Sequence, residues 1–131
     1  MARPDPARRF DGFVPSRFAI DAYGNGGFRF GEMSHRGSLL VLADGIHAWN
    51  VPADGRPADS ELLATLQRLA PPEFLLLGTG RRQVFPAAEV RRAFAAAGIS
   101  LEAMDTGAAC RTYNVLLAEH RPVAAALVAI V

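Results

Sequence analysis

In the first half of the chain, short apolar and alternating segments separated by glycine-containing turns predict β-hairpins. Glycines at Gly24, Gly26 and Gly27 predict a turn that leads into a short alternating segment. The pair Asp44-Gly45 separates two apolar segments and supplies the positive-φ positions that a tight hairpin turn requires. The predicted hairpins comprise residues 18–21 with 23–30 and residues 38–42 with 46–49.

The second half of the chain alternates between helical and strand periods. A helix that Asp59 or Ser60 could cap carries a leucine stripe, and the helix ends before Pro71-Pro72. Pro86 opens a second helix and Gly98 ends it, since proline suits the first turn and glycine the position after the last. The stripe is Leu62, Leu63, Leu66 and Leu69. Predicted strands are residues 74–77, 99–104 and 123–131, and a third helix covers about 107–119.

This order of elements predicts an α/β fold. We expect a three-layer single domain with a mixed, mainly parallel central sheet flanked by helices and with N-terminal β-hairpins. The continuous apolar segment 123–131 is typical of a strand that is buried on both faces. The length of 131 residues suits one domain. We therefore predict a flexible tail over residues 1–16 and a single α/β domain over residues 17–131.

Composition excludes several classes of function. A net charge of +1 argues against a dedicated nucleic-acid-binding protein. All fourteen basic residues are arginine, which indicates a bacterial, GC-rich source and excludes lysine Schiff-base catalysis and the Walker A loop. One cysteine and three histidines show no metal-binding spacing, so we expect no metal and no cofactor.

The apolar segments also bear on location. The longest, residues 123–131, has nine residues, whereas a membrane-spanning helix needs about 20. The N-terminus lacks the apolar core of a secretory signal, and a single cysteine suits a reducing compartment. We therefore expect a soluble protein of the bacterial cytoplasm without stable membrane insertion.

Two loops at the carboxyl ends of the predicted parallel strands could bind a ligand. If Thr106 caps the third helix, the free amides that follow it favour an anion, and Arg111 adds positive charge. The alternative is that both loops are ordinary turns and that Thr106 does nothing more than cap its helix. The candidate ligand-binding residues are Gly78, Thr79, Gly80, Thr106, Gly107, Ala108, Ala109 and Arg111.

Cys110 is the one candidate thiol nucleophile, because a helix N-terminus can lower a thiol pKa. Helical spacing places it with Tyr113 and Leu117 on the apolar face, so we expect it to be buried and inert. The three histidines have no spacing that links them to a nucleophile, and the chain has no Gly-x-Ser-x-Gly motif. No catalytic residue is assigned.

Four segments in this order carry a family resemblance. They are Tyr23-Gly24-Asn25-Gly26-Gly27-Phe28-Arg29, Gly37-Ser38-Leu39-Leu40-Val41-Leu42, Leu75-Leu76-Leu77-Gly78-Thr79-Gly80 and Met104-Asp105-Thr106-Gly107-Ala108-Ala109-Cys110-Arg111-Thr112-Tyr113-Asn114-Val115-Leu116-Leu117. Together they resemble the family of mitochondrial complex I assembly factor 3 and its bacterial and archaeal relatives, a domain of unknown function. The resemblance covers nearly everything after Phe10 and implies a three-layer α/β fold with a mixed sheet. It supplies no catalytic residue or cofactor.

Two functions remain open at this stage. The resemblance favours a non-enzymatic binding protein, an assembly factor for respiratory complex I or other membrane complexes, with proteins as partners. The alternative is an enzyme or small-anion-binding protein that uses the Gly78–Gly80 and Asp105–Arg111 loops. The sequence leaves the partner, any ligand and the oligomeric state undecided, with a homo-oligomer among the options.

Overall fold

A computed structural model describes residues 9–56 and 59–131, apart from the side chains of Asp59 and Ser60. The described residues form nine strands and three helices. The strands are β1 (Phe13–Val14), β2 (Ala22–Gly24), β3 (Gly27–Phe30), β4 (Met33–Arg36), β5 (Ser38–Leu42), β6 (Gly45–Trp49), β7 (Phe74–Gly78), β8 (Ser100–Met104) and β9 (Ala124–Leu127). The helices are α1 (Asp59–Arg68), α2 (Ala88–Ala96) and α3 (Thr106–Ala118).

Six strands form the central sheet, in the order β1-β6-β5-β9-β7-β8. The α/β class and the mixed sheet are as expected, but the parallel part is smaller. Only β7 pairs in parallel, with β8 and β9, whereas the other three strand pairs are antiparallel. The β5–β6 hairpin joins this sheet through β9, and a hairpin with a short turn is necessarily antiparallel. The sheet is therefore not mainly parallel.

The β5–β6 hairpin has the predicted strands. Leu42 pairs with Gly45, so the turn consists of Ala43 and Asp44. The positive φ falls on Gly45, at +144°, and not on Asp44. A side chain at Gly45 would also collide with the carbonyl oxygen of Val14, so β1 can pair with β6 only beside a glycine.

The other hairpin belongs to a small second sheet, in the order β2-β3-β4. Its turn residues Asn25 and Gly26 have φ of 52° and 81°, the left-handed values that a two-residue hairpin favours. The predicted first strand at residues 18–21 is wrong, because pairing begins at Ala22. Part of that segment is held by α3 instead, as described below.

Side chains from alternate positions of the central strands fill two cores, one on each face of the sheet. One core contacts α3 and the small sheet, and the other contacts α1 and α2, which confirms the three-layer arrangement. The first includes Phe28, Phe30, Leu39, Val41, Leu76, Cys110, Tyr113, Ala125 and Leu127. The second includes Leu40, Leu42, Leu62, Leu66, Leu75, Leu77, Phe94, Ala124 and Ala126.

The N-terminal boundary differs from the prediction. Residues 13–14 form β1 at the sheet edge, and the Phe10 ring packs edge-on against Phe30 and His35, with centroids 5.2 and 4.9 Å away. Residues 10–14, assigned to the flexible tail, therefore contribute to the sheet and core. Residues 1–8 of that predicted tail lie outside the described residues, as do the side chains of Asp59 and Ser60 that were expected to cap α1.

Other element ends shift by a few residues. Pro86 precedes α2, whose N-cap is Ala87, and Gly98 at φ +80° follows its end as expected. Leu69 lies beyond α1 and is 41% exposed, so it does not extend the buried stripe. β9 is shorter than predicted, yet residues 123–129 are all buried, which confirms burial on both faces.

Candidate functional site

The cap of α3 is Asp105 and not Thr106. The Asp105 backbone is extended, and its carboxylate accepts a hydrogen bond from the Ala108 amide at 2.8 Å. The Ala109 amide donates to the Asp105 carbonyl oxygen at 2.9 Å. The helix thus begins one residue before the predicted start. Of the Gly107, Ala108 and Ala109 amides, which were proposed for an anion, the last two already have acceptors.

Thr106 is fully buried and joins the two candidate loops. Its hydroxyl donates to the Val128 carbonyl oxygen at 2.7 Å and accepts from the Gly80 amide at 2.9 Å. Its own amide donates to the Gly80 carbonyl oxygen at 2.8 Å. Thr106 therefore fixes the loop after β7 against the residues that follow β9. This is a structural role that neither sequence interpretation included.

Gly107 is covered by a side chain from the small sheet. A Cβ atom built on Gly107 would lie 2.5 Å from the Tyr23 hydroxyl oxygen and 3.3 Å from Arg111 Nη1. Arg111 in turn donates to that hydroxyl at 3.4 Å. Tyr23 therefore packs directly against the Cα of Gly107 and restricts the approach of a ligand to this residue. No sequence signal marked Tyr23 for this contact, because it lies 88 positions from Arg111.

Two residues in the second and third turns of α3 hold the segment before β2. The Tyr113 hydroxyl donates to the Phe18 carbonyl oxygen at 2.8 Å. The Asn114 amide group accepts from the Ile20 amide at 2.8 Å and donates to the Ile20 carbonyl oxygen at 2.9 Å. Asn114 thus pairs with the Ile20 main chain as a neighbouring strand would, and this contact holds a segment that belongs to neither sheet.

The loop after β7 is fixed by its own polar groups. Gly78 is buried, and a Cβ atom there would come within 3.2 Å of Ala109 and Leu127 side-chain atoms. The Thr79 hydroxyl donates to the Arg82 carbonyl oxygen at 2.6 Å and accepts from the Val84 amide at 3.0 Å. Both residues therefore shape the loop.

This loop borders an open groove of about 650 Å³, which we call the Phe85 groove. Its rim carries two exposed apolar side chains, Phe85 at 67% and Val84 at 43%. Its charged lining is Asp54, Arg56, Arg81 and Arg82. Thr79 and Gly80 line it as well, whereas the candidate residues on α3 do not.

Cys110 has the predicted environment. It is 1% exposed on the core face of α3, which confirms its burial. Burial raises the pKa of the Cys110 thiol to about 12; the positive charge of Arg111 lowers that pKa, and the negative charge of Asp105 raises it. Near neutral pH the thiol is protonated and shielded from water.

The three histidines lie in different environments. Burial lowers the pKa of His35, which packs against Phe10. His47 lies 2.8 Å from the Asp44 carboxylate and against the Phe13 ring, and His120 has φ 58° just after α3. Within residues 9–56 and 59–131, no three His, Cys, Asp or Glu side chains are grouped so that they could hold a metal ion. Nor does any described helix have the length and apolarity to cross a membrane.

Comparisons with known proteins agree with the fold. A model of the family described as protein of unknown function (DUF498/DUF598) matches residues 20–128. A crystal structure described as an outer membrane protein from Bartonella henselae superposes with a TM-score of 0.79 at 44% identity, covering 89% of this chain and 98% of that chain.

Two relatives carry names that bear on function. A protein of Danio rerio named NADH dehydrogenase [ubiquinone] 1 alpha subcomplex assembly factor 3 is 37% identical over 110 residues, which are 83% of this chain and 63% of that protein. A 13 kDa major membrane protein of Francisella tularensis is 40% identical over 119 residues, covering 91% of this chain and 89% of that protein.

Proposed function

We propose that this chain, which belongs to the DUF498/DUF598 family, is a non-enzymatic binding protein that acts in the assembly of respiratory complex I or another membrane complex. Relatives named as assembly factors for NADH dehydrogenase support this role. The Phe85 groove is the surface that we assign to the protein partner.

The exposed Phe85 side chain carries this assignment. It stands beside Val84 in water, although burying such a side chain stabilises a protein or a complex by about 1.5–3 kcal/mol. Aromatic and arginine side chains are enriched among the residues that dominate protein interfaces, and Arg81 and Arg82 lie in the same groove. A partner that covers Phe85 accounts for this combination.

The groove wall is held before any partner arrives. Besides the Thr79 hydrogen bonds, the Gln83 side chain donates to the Ala103 carbonyl oxygen on β8 at 2.9 Å. The loop that carries Phe85 is therefore tied to β8 and held by hydrogen bonds within itself. A fixed loop loses little conformational entropy on binding, so more of the contact energy contributes to affinity.

The test is affinity purification of the tagged chain from its bacterial host after mild cross-linking. We expect respiratory-complex subunits or assembly proteins with the natural sequence and much less of them with Phe85→Ser. The matched control is Val115→Ser, because Val115 is 57% exposed on α3 and does not line the groove. Reproducible absence of those proteins would overturn the function, and equal recovery by Phe85→Ser would remove the groove from it.

The proposed location is the bacterial cytoplasm, with attachment to membranes through the partner. Relatives described as membrane proteins make cell fractionation informative. We expect membrane-associated chain to be released by high salt without detergent. A requirement for detergent would contradict attachment through a protein partner.

The alternative of an enzyme or small-anion site at the two loops meets a geometric obstacle. An anion would have to displace the Asp105 carboxylate from Ala108 or the Tyr23 side chain from Gly107. Titration with inorganic phosphate, followed by amide NMR, should therefore leave Gly107–Ala109 without a saturable shift. A saturable shift that Arg111→Ala abolishes would favour the alternative.

A further inference from the structure

The Phe85 groove concentrates positive charge in a chain whose net charge is only +1. Of the described side chains that line it, three are arginines and one, Asp54, is a carboxylate. Arg81 Nε lies 3.1 Å from Asp54 Oδ1, and Arg81 Nη2 donates to the Val131 carbonyl oxygen, also at 3.1 Å. Arg56 and Arg82 are exposed and have no ion pair with any described residue. Among the residues that the structure describes, two of the three guanidinium groups thus have no counter-charge.

The Asp54–Arg81 pair shows which chemistry suits the groove wall. A carboxylate side chain already lies against one guanidinium there. Guanidinium groups bind carboxylates through two parallel hydrogen bonds. Arg56 and Arg82, which have no ion pair within the described part of the chain, therefore present the same kind of donor to an incoming acidic side chain. Asp54 and Val131 hold Arg81 in place, which leaves the other two arginines as the available contacts.

The groove also has apolar side chains, so its partner needs apolar side chains beside the acidic ones. Leu77 contributes a buried part of the lining, and Val84 and Phe85 form an exposed rim. A concave site of about 650 Å³ admits one or two large side chains of an extended segment. A membrane surface, by contrast, calls for an exposed apolar helix face or a broad basic patch.

We infer that the partner of the Phe85 groove is an extended protein segment in which apolar or aromatic side chains are flanked by aspartate or glutamate. The apolar side chains pack against Phe85 and Val84, and the carboxylates bind Arg56 and Arg82. This inference rests on the proposed function, since it names the chemistry of the protein that this surface binds.

The experiment is a selection of random peptides, displayed on phage, against the full chain. On the natural sequence we expect enrichment of peptides with aromatic or aliphatic residues next to Asp or Glu. A synthetic consensus peptide should bind at least about threefold more weakly to the Arg56→Gln/Arg82→Gln variant, and more weakly as salt is raised. The control Arg29→Gln/Arg36→Gln removes two exposed arginines from the small sheet and should bind the peptide unchanged.

Several results would overturn the inference. One is selected peptides without acidic enrichment, and another is an affinity that the double groove variant does not change. A third is binding to anionic phospholipid vesicles that depends on Arg56 and Arg82 when no acidic peptide is selected, since this would assign the groove to a membrane. If purification recovers respiratory-complex proteins with both the natural chain and the double groove variant, the partner chemistry is wrong and the proposed function stands.

Discussion

At the residue scale, the start of α3 connects several separate parts of the chain. Asp105 caps the helix, Thr106 binds Gly80 and Val128, and Asn114 binds Ile20. All of these side chains lie in the fourth segment of the family resemblance. Each polar atom satisfies a main-chain group elsewhere, which is the usual requirement for buried polar groups. The distinctive sequence of this segment therefore has a structural explanation.

Cys110 should react very slowly with thiol reagents in the folded protein. Its pKa of about 12, against 9.0 for the unperturbed thiol, makes the thiolate fraction roughly a thousandfold smaller near neutral pH, and burial blocks access. The measurement is the rate of reaction with an aromatic disulfide reagent at pH 7.5, compared with the same chain in guanidinium chloride. Labelling at similar rates in both conditions would contradict the buried position.

His35 should make the fold less stable in mild acid. Burial lowers its pKa below 6.5, so the unfolded state holds more protons than the folded state between that lowered value and 6.5. The stabilisation is present above pH 6.5 and is lost as pH falls through the folded pKa. Urea unfolding from pH 7.5 down to pH 5 should show this loss, and His35→Gln should reduce it. An NMR titration midpoint of His35 above 6.5 would refute the prediction.

At the element scale, the sequence predicted correctly those features that depend on residues close together in the chain. The β5–β6 hairpin and the end of α2 depend on Gly45 and Gly98, and both are as expected. The strand at residues 18–21 was wrong because Asn114, 94 positions away from Ile20, takes the hydrogen bonds that a strand would use. A local pattern carries no information about such a distant partner.

The N-cap of α3 was predicted wrongly for the same reason. Asp105 and Thr106 are both good N-cap residues, so sequence could not choose between them. Asp105 is the cap because the Thr106 hydroxyl is already hydrogen-bonded to Val128 and Gly80, which are distant in sequence. The Phe85 groove was missed because exposure of Phe85 depends on how the loop after β7 lies on the sheet. Its residues carried no catalytic or metal-binding motif.

Asn114→Ala should detach the segment before β2 from α3. It removes both hydrogen bonds to Ile20, one of them to a partly buried amide, at an expected cost of about 1–3 kcal/mol in the free energy of unfolding. Urea unfolding measures the loss, and hydrogen exchange at the Ile20 amide locates it. Thr112→Ala on the same helix is the control, since the Thr112 side chain has no hydrogen bond to any residue within 9–56 or 59–131. Equal effects of the two substitutions would contradict the role of Asn114.

At the scale of the whole molecule, the central sheet separates two cores that share its strands. β5, β7 and β9 contribute side chains to both faces. α2, by contrast, buries only Phe94. Stability is therefore expected to be uneven, with the centre of the sheet most resistant to opening and α2 least.

Native-state hydrogen exchange should reproduce this order. Amides of β5 and β9 should be protected about a hundredfold or more above those of α2, because their exchange requires global unfolding, whereas α2 opens locally. Measurement at several low urea concentrations separates the two kinds of opening. Equal protection of α2 and β9 would show that the molecule opens as one unit and would contradict the expected order.

The position of β9 has a consequence for how the chain is made. All other described elements precede β9, yet it lies between β5 and β7 in the middle of the sheet. While the ribosome is still translating, no strand joins the β1-β6-β5 part of the sheet to the β7-β8 part, and β5 and β7 each keep an open edge. The nascent polypeptide therefore stays in two unjoined pieces until β9 emerges, and during that interval its open strand edges can pair with other chains.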